Sequence, residues 1–200
     1  DGGKALVKDF ASLRYPEASP FFVADRSFVQ LETTRGCFNS CQFCVSGDDK
    51  PVRSLSIEQI RSRLNYYESK GIKSIRMLDR TFNGSPKRCR EMLELMKVYD
   101  GRLTFHLEIH PSLLKDELRE ELKKMPKGIL HLEAGIQSLH DNVLQECTRN
   151  GDVDSALDGL KFLFTLSHKM ETHTDLIAGL PLYRYNDLVE DAHILVTMNA

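Results

Sequence analysis

Three closely spaced cysteines are the part of the sequence that most directly suggests chemistry. Cys37, Cys41 and Cys44 lie in the segment GCFNSCQFC, with the spacing C-x3-C-x2-C. Three thiolates on one short loop can occupy three corners of an iron–sulfur cube, which leaves the fourth iron without a protein ligand. The spacing therefore predicts a [4Fe–4S] cluster on these three residues.

A structural zinc module is the main alternative for the same cysteines. Structural zinc usually has four ligands, often in two separated pairs, and here a distant histidine would have to supply the fourth. An electron-transfer ferredoxin would also need a fourth cysteine nearby. Cys89 and Cys147 instead fall inside predicted helices, where a free buried thiol is the ordinary interpretation.

Composition limits the expected partners and location. The chain has 200 residues and a formal net charge of -2, so its charge gives no reason to expect nucleic acid or a membrane surface as a partner. No apolar run approaches the roughly 20 residues that span a bilayer. Crowded thiols without a signal peptide indicate a reducing compartment, and we expect the cytoplasm. A first residue other than Met suggests a fragment of a longer protein.

Strands and helices alternate along the chain after an irregular lead-in at residues 1–26. Predicted strands occupy 27–34, 72–79, 102–109, 128–135 and part of 170–181. Predicted helices occupy 56–71, 86–99, 112–124, 139–147, 153–168 and 186–198. Five such βα units predict an α/β fold in which helices surround a parallel sheet, with residues 27–200 as the core domain.

The strands alternate between apolar and polar residues. In 102–109, leucine, phenylalanine and isoleucine occupy one face, and Thr104, His106 and Glu108 occupy the other. A flat sheet with helices on both sides would be apolar on both faces. The polar face therefore predicts a partial or full barrel with a wet lumen and a site at the carboxyl ends of the strands.

Ionisable side chains on that polar face are the candidates for binding substrate or moving a proton. They are His106, Glu108, His131, His173 and Asp175. A single histidine of this kind is more often a hydrogen-bonded structural group, so the set favours a polar cavity more than any one member does. Four other histidines are predicted to be surface or capping residues: His110, His140, His168 and His193.

Four segments, in order, resemble the radical S-adenosylmethionine (SAM) superfamily. They are LETTRGCFNSCQFC (31–44), MLDRTFN (77–83), LEAGIQS (132–138) and DLIAGLP (175–181). They are similar to a branch that is often fused to a cobalamin-binding domain. The resemblance implies a partial (β/α)6 TIM-like barrel, which this chain would contain only as far as the fifth βα unit.

The resemblance also implies an activity. The unique iron would chelate the amino and carboxylate groups of SAM, and one-electron reduction would give methionine and a 5′-deoxyadenosyl radical that abstracts a substrate hydrogen. The electron would come from a donor such as flavodoxin or ferredoxin. A cobalamin-dependent methyltransferase core is an alternative, with cobalamin in a domain of about 100–150 residues for which this chain has no room.

Several SAM contacts are implied at matching positions. Many relatives have Gly-Gly-Glu where this chain has Leu78-Asp79-Arg80-Thr81, which is a departure from the common pattern. Asp79 is the candidate partner of the SAM ammonium, although it is also a candidate cap for the following turn. Arg80 or Asn83 would help to place SAM.

The later strands supply the remaining implied contacts. Glu133 matches a position that contacts the ribose or the methionyl group, and Gln137 follows it. Ile177 matches the segment that packs on adenine. The alternative for Ile177 is a buried strand that ends in a Gly-Leu-Pro turn.

Overall fold

The structure is a computed structural model, and it describes residue 7 and residues 9–24, 26–47 and 49–198. Five strands pair in parallel in the order in which they occur, and a short antiparallel hairpin lies beside them. The strands are β1 (Val29–Leu31), β2 (Thr34–Arg35), β3 (Arg53–Ser54), β4 (Ser74–Met77), β5 (Thr104–Ile109), β6 (Leu130–Ala134) and β7 (Glu171–His173). The sheet order is β1-β4-β5-β6-β7, which confirms the predicted parallel α/β fold.

Helices follow the parallel strands along the chain. They are α1 (Ile57–Ser69), α2 (Pro86–Lys97), α3 (Asp116–Lys123), α4 (Asp141–Glu146), α5 (Val153–Thr165) and α6 (Tyr185–Thr197). The Ser56 hydroxyl accepts a hydrogen bond from the Gln59 amide, and the Gln59 side-chain oxygen accepts one from the Ser56 amide, so α1 begins with a capping box. Pro86 occupies the first turn of α2, where its missing N–H costs nothing.

One predicted helix was wrong in extent. The helix expected at 112–124 is a 3-10 turn at Pro111–Leu113 followed by α3. Pro111 lies so close to α5 that a Cβ on Gly159 would stand 2.2 Å from the Pro111 carbonyl oxygen, so the turn packs directly against α5. β7 lies within 170–181, as predicted, and the hairpin of β2 and β3 was not predicted.

The alternation predicted for the strands is present in three dimensions. Leu31, Ile75 and Leu107 are completely buried in the main apolar core, whereas His106 and Glu108 on the opposite face are only half-buried. The apolar face therefore packs beneath the helices, and the polar face is left to the inside of the curved sheet.

The lead-in is tied to α1 by a buried ion pair. Glu17 accepts hydrogen bonds of 2.6 and 2.9 Å from the Arg63 guanidinium and one of 3.0 Å from the Tyr67 hydroxyl. The side chains of Arg63 and Glu17 are only 6% and 8% exposed. Burial of two charges is tolerated here because each group has several partners.

Within the residues that the structure describes, no helix combines the length and the apolar character needed to cross a bilayer.

Replacing Arg63 with alanine should leave the Glu17 carboxylate buried without its partner. We expect Arg63→Ala to lower the free energy of unfolding by about 3–5 kcal/mol in urea titrations. Arg90 forms an ion pair with Glu117 in which the side chains are 47% and 73% exposed, so Arg90→Ala is the control and should change stability by about 0–1 kcal/mol. Equal losses in the two variants would contradict this view of the lead-in.

Candidate functional site

The three cysteines lie on the loop between β2 and β3, directly after the carboxyl end of β1. The Cys37 amide donates a 3.2 Å hydrogen bond to the Asp49 carbonyl, which closes the base of the loop. Gly36 has φ of +96°, and a Cβ there would stand 2.4 Å from the Asp49 oxygen. Only glycine allows the two arms of the loop to approach this closely.

The far side of the cysteine loop is held by residues that follow α4. The Gln42 amide donates to the Cys147 carbonyl at 3.0 Å, and the Thr148 hydroxyl donates to the Ser40 carbonyl. The loop backbone is thus fixed from both ends by protein groups.

The three cysteines carry free thiols that do not converge on one point. All five cysteines of the chain are free, with Cys37 and Cys41 buried and Cys44 half-buried. A tetrahedral zinc ion would hold thiolate sulfurs about 3.8 Å apart. In the described part of the chain these three sulfurs do not form a set within 4.8 Å of one another, and no histidine joins them. Sulfurs that each bind a different iron of one cube are expected to be further apart.

Arg149 is a member of the site that sequence reasoning missed. Its guanidinium is half-buried and donates a 2.7 Å hydrogen bond to the Gly135 carbonyl at the end of β6. Burial raises the pKa of the Cys41 thiol, and the positive charge of Arg149 opposes that rise. The guanidinium also lies within electrostatic range of Cys37 and Cys44, so it can offset negative charge on all three sulfurs.

The Asp79 carboxylate is already occupied by hydrogen bonds to other residues of the protein. Its carboxylate is buried and accepts hydrogen bonds from the Thr33 amide at 2.7 Å, the Thr34 amide at 2.9 Å and the Thr33 hydroxyl. Burial raises the pKa of Asp79, while these donors oppose the rise. The carboxylate therefore holds the end of β1, just before the cysteine loop, and does not cap the turn that follows it.

Asn83 and His110 form a second clamp. The Asn83 side chain donates to the His110 carbonyl at 2.9 Å and accepts from the His110 amide at 2.8 Å. The prediction that His110 lies at the surface was wrong, since it is 5% exposed and its Nδ1 lies 2.8 Å from the Ser112 hydroxyl. It does occupy the N-cap position of the turn at Pro111–Leu113, although its side chain makes no capping hydrogen bond. Burial lowers the pKa of His110 to about 4, because the charged imidazolium would lose its hydration.

The structure brings the predicted lumen residues together. Parallel register places His106 opposite His131, and Glu133 opposite both Glu108 and His173. His106 Nε2 lies 3.0 Å from a Glu133 oxygen, and His131 Nε2 lies 2.8 Å from His173 Nδ1. The polar face is therefore one connected network.

Two acids in the lumen, Glu108 and Asp175, have raised pKa values because they are partly buried. Burial raises the pKa of Glu108, and the negative charge of Glu133 raises it further, while Arg80 opposes the rise. Burial also raises the pKa of Asp175, again with a contribution from Glu133. Arg80 itself is exposed, on the loop after β4. The network thus combines carboxylates and imidazoles, the groups that most often accept or donate a proton in a site.

Gln137 and Ile177 lie where β6 and the segment after β7 meet. The Gln137 amide donates to the Asp175 carbonyl at 2.9 Å, and the Ile177 amide donates to the Gln137 carbonyl at 3.0 Å. Gln137 has φ of +72°, a conformation that side chains rarely adopt and that often marks a functional position. Ile177 belongs to a small apolar cluster that also includes Phe43 of the cysteine loop.

Comparisons with known proteins identify similar chains. The family model described as "Radical SAM superfamily" matches residues 31–195. A tRNA-2-methylthio-N(6)-dimethylallyladenosine synthase from Psychrobacter sp. (strain PRwf-1) is 24% identical over 180 residues, which are 84% of this chain and 36% of the relative. The chain thus spans about a third of the length of that relative.

Solved structures share the fold. The radical SAM methyltransferase TsrM from Kitasatospora setae, with tryptophan substrate and a SAM analogue bound, superposes with a TM-score of 0.73 at 15% identity, over 87% of this chain and 34% of that one. A second TsrM structure, with cobalamin and a [4Fe–4S] cluster bound, gives 0.71 at 16% identity, over 86% and 32%. These likenesses confirm the predicted TIM-like fold class.

Removal of the Asp79 carboxylate should release the cysteine loop. We expect Asp79→Ala to lower the free energy of unfolding by at least about 2 kcal/mol, because three donors lose their acceptor. Hydrogen exchange at the Thr33 and Thr34 amides should accelerate as well. The control is Asp100→Ala, since Asp100 is exposed. Unchanged exchange at Thr33 and Thr34 in Asp79→Ala would contradict the anchoring role.

His110 should contribute a pH dependence to stability. Its folded pKa of about 4 lies below the ordinary 6.5, so the unfolded chain binds the proton first and stability falls as the pH drops from 6.5 towards 4. The full loss is about 3 kcal/mol, because each pKa unit is worth about 1.4 kcal/mol. His110→Gln should remove this part of the slope in urea titrations at several pH values. His193→Gln, at an exposed position, should keep the wild-type slope, and equal slopes in both variants would exclude the role given to His110.

Proposed function

The chain belongs to the radical SAM superfamily, and from that premise we propose that it binds a [4Fe–4S] cluster and reductively cleaves SAM beside a substrate in the lumen. Family membership confirms the resemblance of the cysteine loop. The observation that carries the proposal is the cysteine loop itself, with three free thiols on a backbone that hydrogen bonds fix between β2 and β3.

Cys37, Cys41 and Cys44 would hold the cluster, and Arg149 would offset the charge of their thiolates. When bound, the cluster supplies the electron that cleaves SAM to methionine and a 5′-deoxyadenosyl radical. The protein contributes orientation and exclusion of water. Burial of Cys37 and Cys41 supports the second of these roles.

Residues at the carboxyl ends of the strands would position SAM. Glu133 is suited to a SAM ammonium or a ribose hydroxyl, because its carboxylate is half-buried and faces the lumen network. Ile177 would offer an apolar surface to adenine, and Gln137 would present backbone groups beside it. Arg80 would help through its positive charge.

In this proposal Asp79 and Asn83 do not contact SAM directly. Both are buried, and the polar atoms of their side chains already contact Thr33, Thr34 and the His110 backbone. We therefore assign them to the positioning of the loops that carry the cysteines and Arg80.

The substrate would lie in the lumen, against the ionisable residues whose positions the register brings together. These candidates are His106, Glu108, His131, His173 and Asp175. The proton donors and acceptors among them favour a polar substrate.

A cobalamin-dependent methyltransferase core is the second candidate. The observation that favours it is the likeness in fold to TsrM with cobalamin bound. Cobalamin would be bound outside this chain's described fold, since the chain spans only 32% of that structure. The zinc module is disfavoured by the separation of the three sulfurs.

The chemistry of the proposed cluster suggests a cellular compartment and an electron donor. Free cysteines and a reducible cluster suit a reducing compartment, and we propose the cytoplasm. A flavodoxin or a ferredoxin would deliver the electron.

Anaerobic reconstitution with iron and sulfide tests the proposal. We expect a cluster whose electron paramagnetic resonance spectrum shifts when SAM is added, and 5′-deoxyadenosine after reduction. Cys37→Ala, Cys41→Ala and Cys44→Ala should each remove the cluster signal, because each deletes a ligand.

Cys89→Ala serves as the control, since that thiol lies in α2 and burial raises its pKa to about 12. It should retain the iron content of the wild type. A reduced cluster whose electron paramagnetic resonance spectrum does not change when SAM is added would count against the proposal. One equivalent of zinc without iron after anaerobic preparation would support the zinc module instead.

A further inference from the structure

Three imidazoles from three neighbouring strands converge in the lumen. His106 of β5, His131 of β6 and His173 of β7 each offer a ring nitrogen, and these nitrogens all lie within 4.8 Å of one another. The rings of His106 and His131 stack with centroids 4.5 Å apart, and the His173 ring stands nearly perpendicular to both. The convergence is fixed by strand register, since His106 lies directly opposite His131.

In His131 and His173, one ring nitrogen faces the other histidine and the second ring nitrogen lies near a carboxylate. His131 and His173 point one nitrogen at each other, 2.8 Å apart. The other nitrogen of His131 lies 3.5 Å from Glu171, and the other nitrogen of His173 lies 3.5 Å from Glu133. Histidines that bind a metal almost always donate their second N–H to a carboxylate or a carbonyl, which fixes the tautomer and makes the ligating nitrogen more basic.

Glu133 serves two of the three rings. The same Oε2 atom that faces His173 also lies 3.0 Å from His106 Nε2. The side chains of His131 and His173 are 40% and 42% exposed, so an ion can reach them.

We propose that His106, His131 and His173 form a binding site for a divalent transition-metal ion such as Zn²⁺, oriented by Glu133 and Glu171. Imidazole nitrogens suit zinc, cobalt and nickel ions. A tetrahedral ion requires nitrogens about 3.3 Å apart with each ring plane directed at the ion. Binding would therefore turn His106 out of its stacking on His131 and replace the direct contact between His131 and His173. Three protein ligands leave one position open, as in catalytic zinc sites, and that position can accept an oxygen atom of a bound molecule.

This site shares its histidines and Glu133 with the lumen described under the proposed function, but its ligands are distinct from the cysteines, and metal binding does not require cleavage of SAM. The two sites differ in ligand chemistry, because one offers sulfur and the other offers nitrogen. Cobalt bound by thiolates has an intense sulfur-to-metal charge-transfer band that cobalt bound by imidazoles lacks. A spectroscopic test can therefore distinguish the two sites whether or not SAM is cleaved.

The experiment is a titration of the full chain with Co²⁺, in a background where Cys37, Cys41 and Cys44 are replaced by serine. We expect visible d–d absorption that saturates at one equivalent, lacks the sulfur band and disappears when Zn²⁺ displaces the cobalt. Glu133→Gln should weaken binding by about 10–100-fold. His131→Gln and His173→Gln each remove a ligand and should weaken it further.

His193→Gln is the matched control, because His193 is exposed on α6, and it should bind like the background protein. Circular dichroism establishes that each variant is folded, and the two separate histidine variants guard against misfolding of either one. Absence of saturable absorption, or equal cobalt affinity in folded His131→Gln, His173→Gln and His193→Gln, would overturn the proposal.

Discussion

Parallel pairing in register decides which side chains of this protein can meet. Adjacent strands run in the same direction, so residues at equal height form rows across the sheet, and one such row runs through Gln30, Arg76, His106, His131 and Glu171. Because side chains alternate along each strand, a shift of one residue would exchange this row with apolar side chains. The apolar core on the opposite face makes such a shift very unfavourable. The core therefore fixes the strand register, and the register fixes the positions of the polar side chains.

Charge in the lumen is balanced within the same network. Glu108 and Glu133 lie opposite each other, an arrangement that would repel if both were ionised in isolation. His106 and His173 contact Glu133, and Arg80 acts on Glu108, so each acid has a cationic or protonatable neighbour. At the cysteine loop Arg149 has the corresponding role beside the thiols. Both polar regions thus use a nearby base to make burial of negative charge tolerable.

Sequence alone was enough for features that depend on local pattern. The five parallel strands, the polar lumen and the membership of His106 and Glu133 in it all follow from alternation, which is a property of neighbouring residues. Contacts between distant segments could not be predicted in this way: Asp79 is 46 positions from Thr33, and Thr148 is 108 positions from Ser40. His110 was misjudged for the same reason, because its burial depends on packing against residues near Asn150, 40 positions away. Arg149 follows a short helix and has no sequence signal of its own, although a cationic residue beside three thiols could have been sought.

The ties that fix the cysteine loop have a consequence for how the protein is made. Its backbone is ordered by the Asp49 and Cys147 carbonyls and by Thr148, and none of these groups is a candidate iron ligand. Part of the conformational entropy of the loop is therefore lost when the chain folds. Under the proposed function, assembly of the cluster would then require less ordering of this backbone than a loop held only by its cysteines.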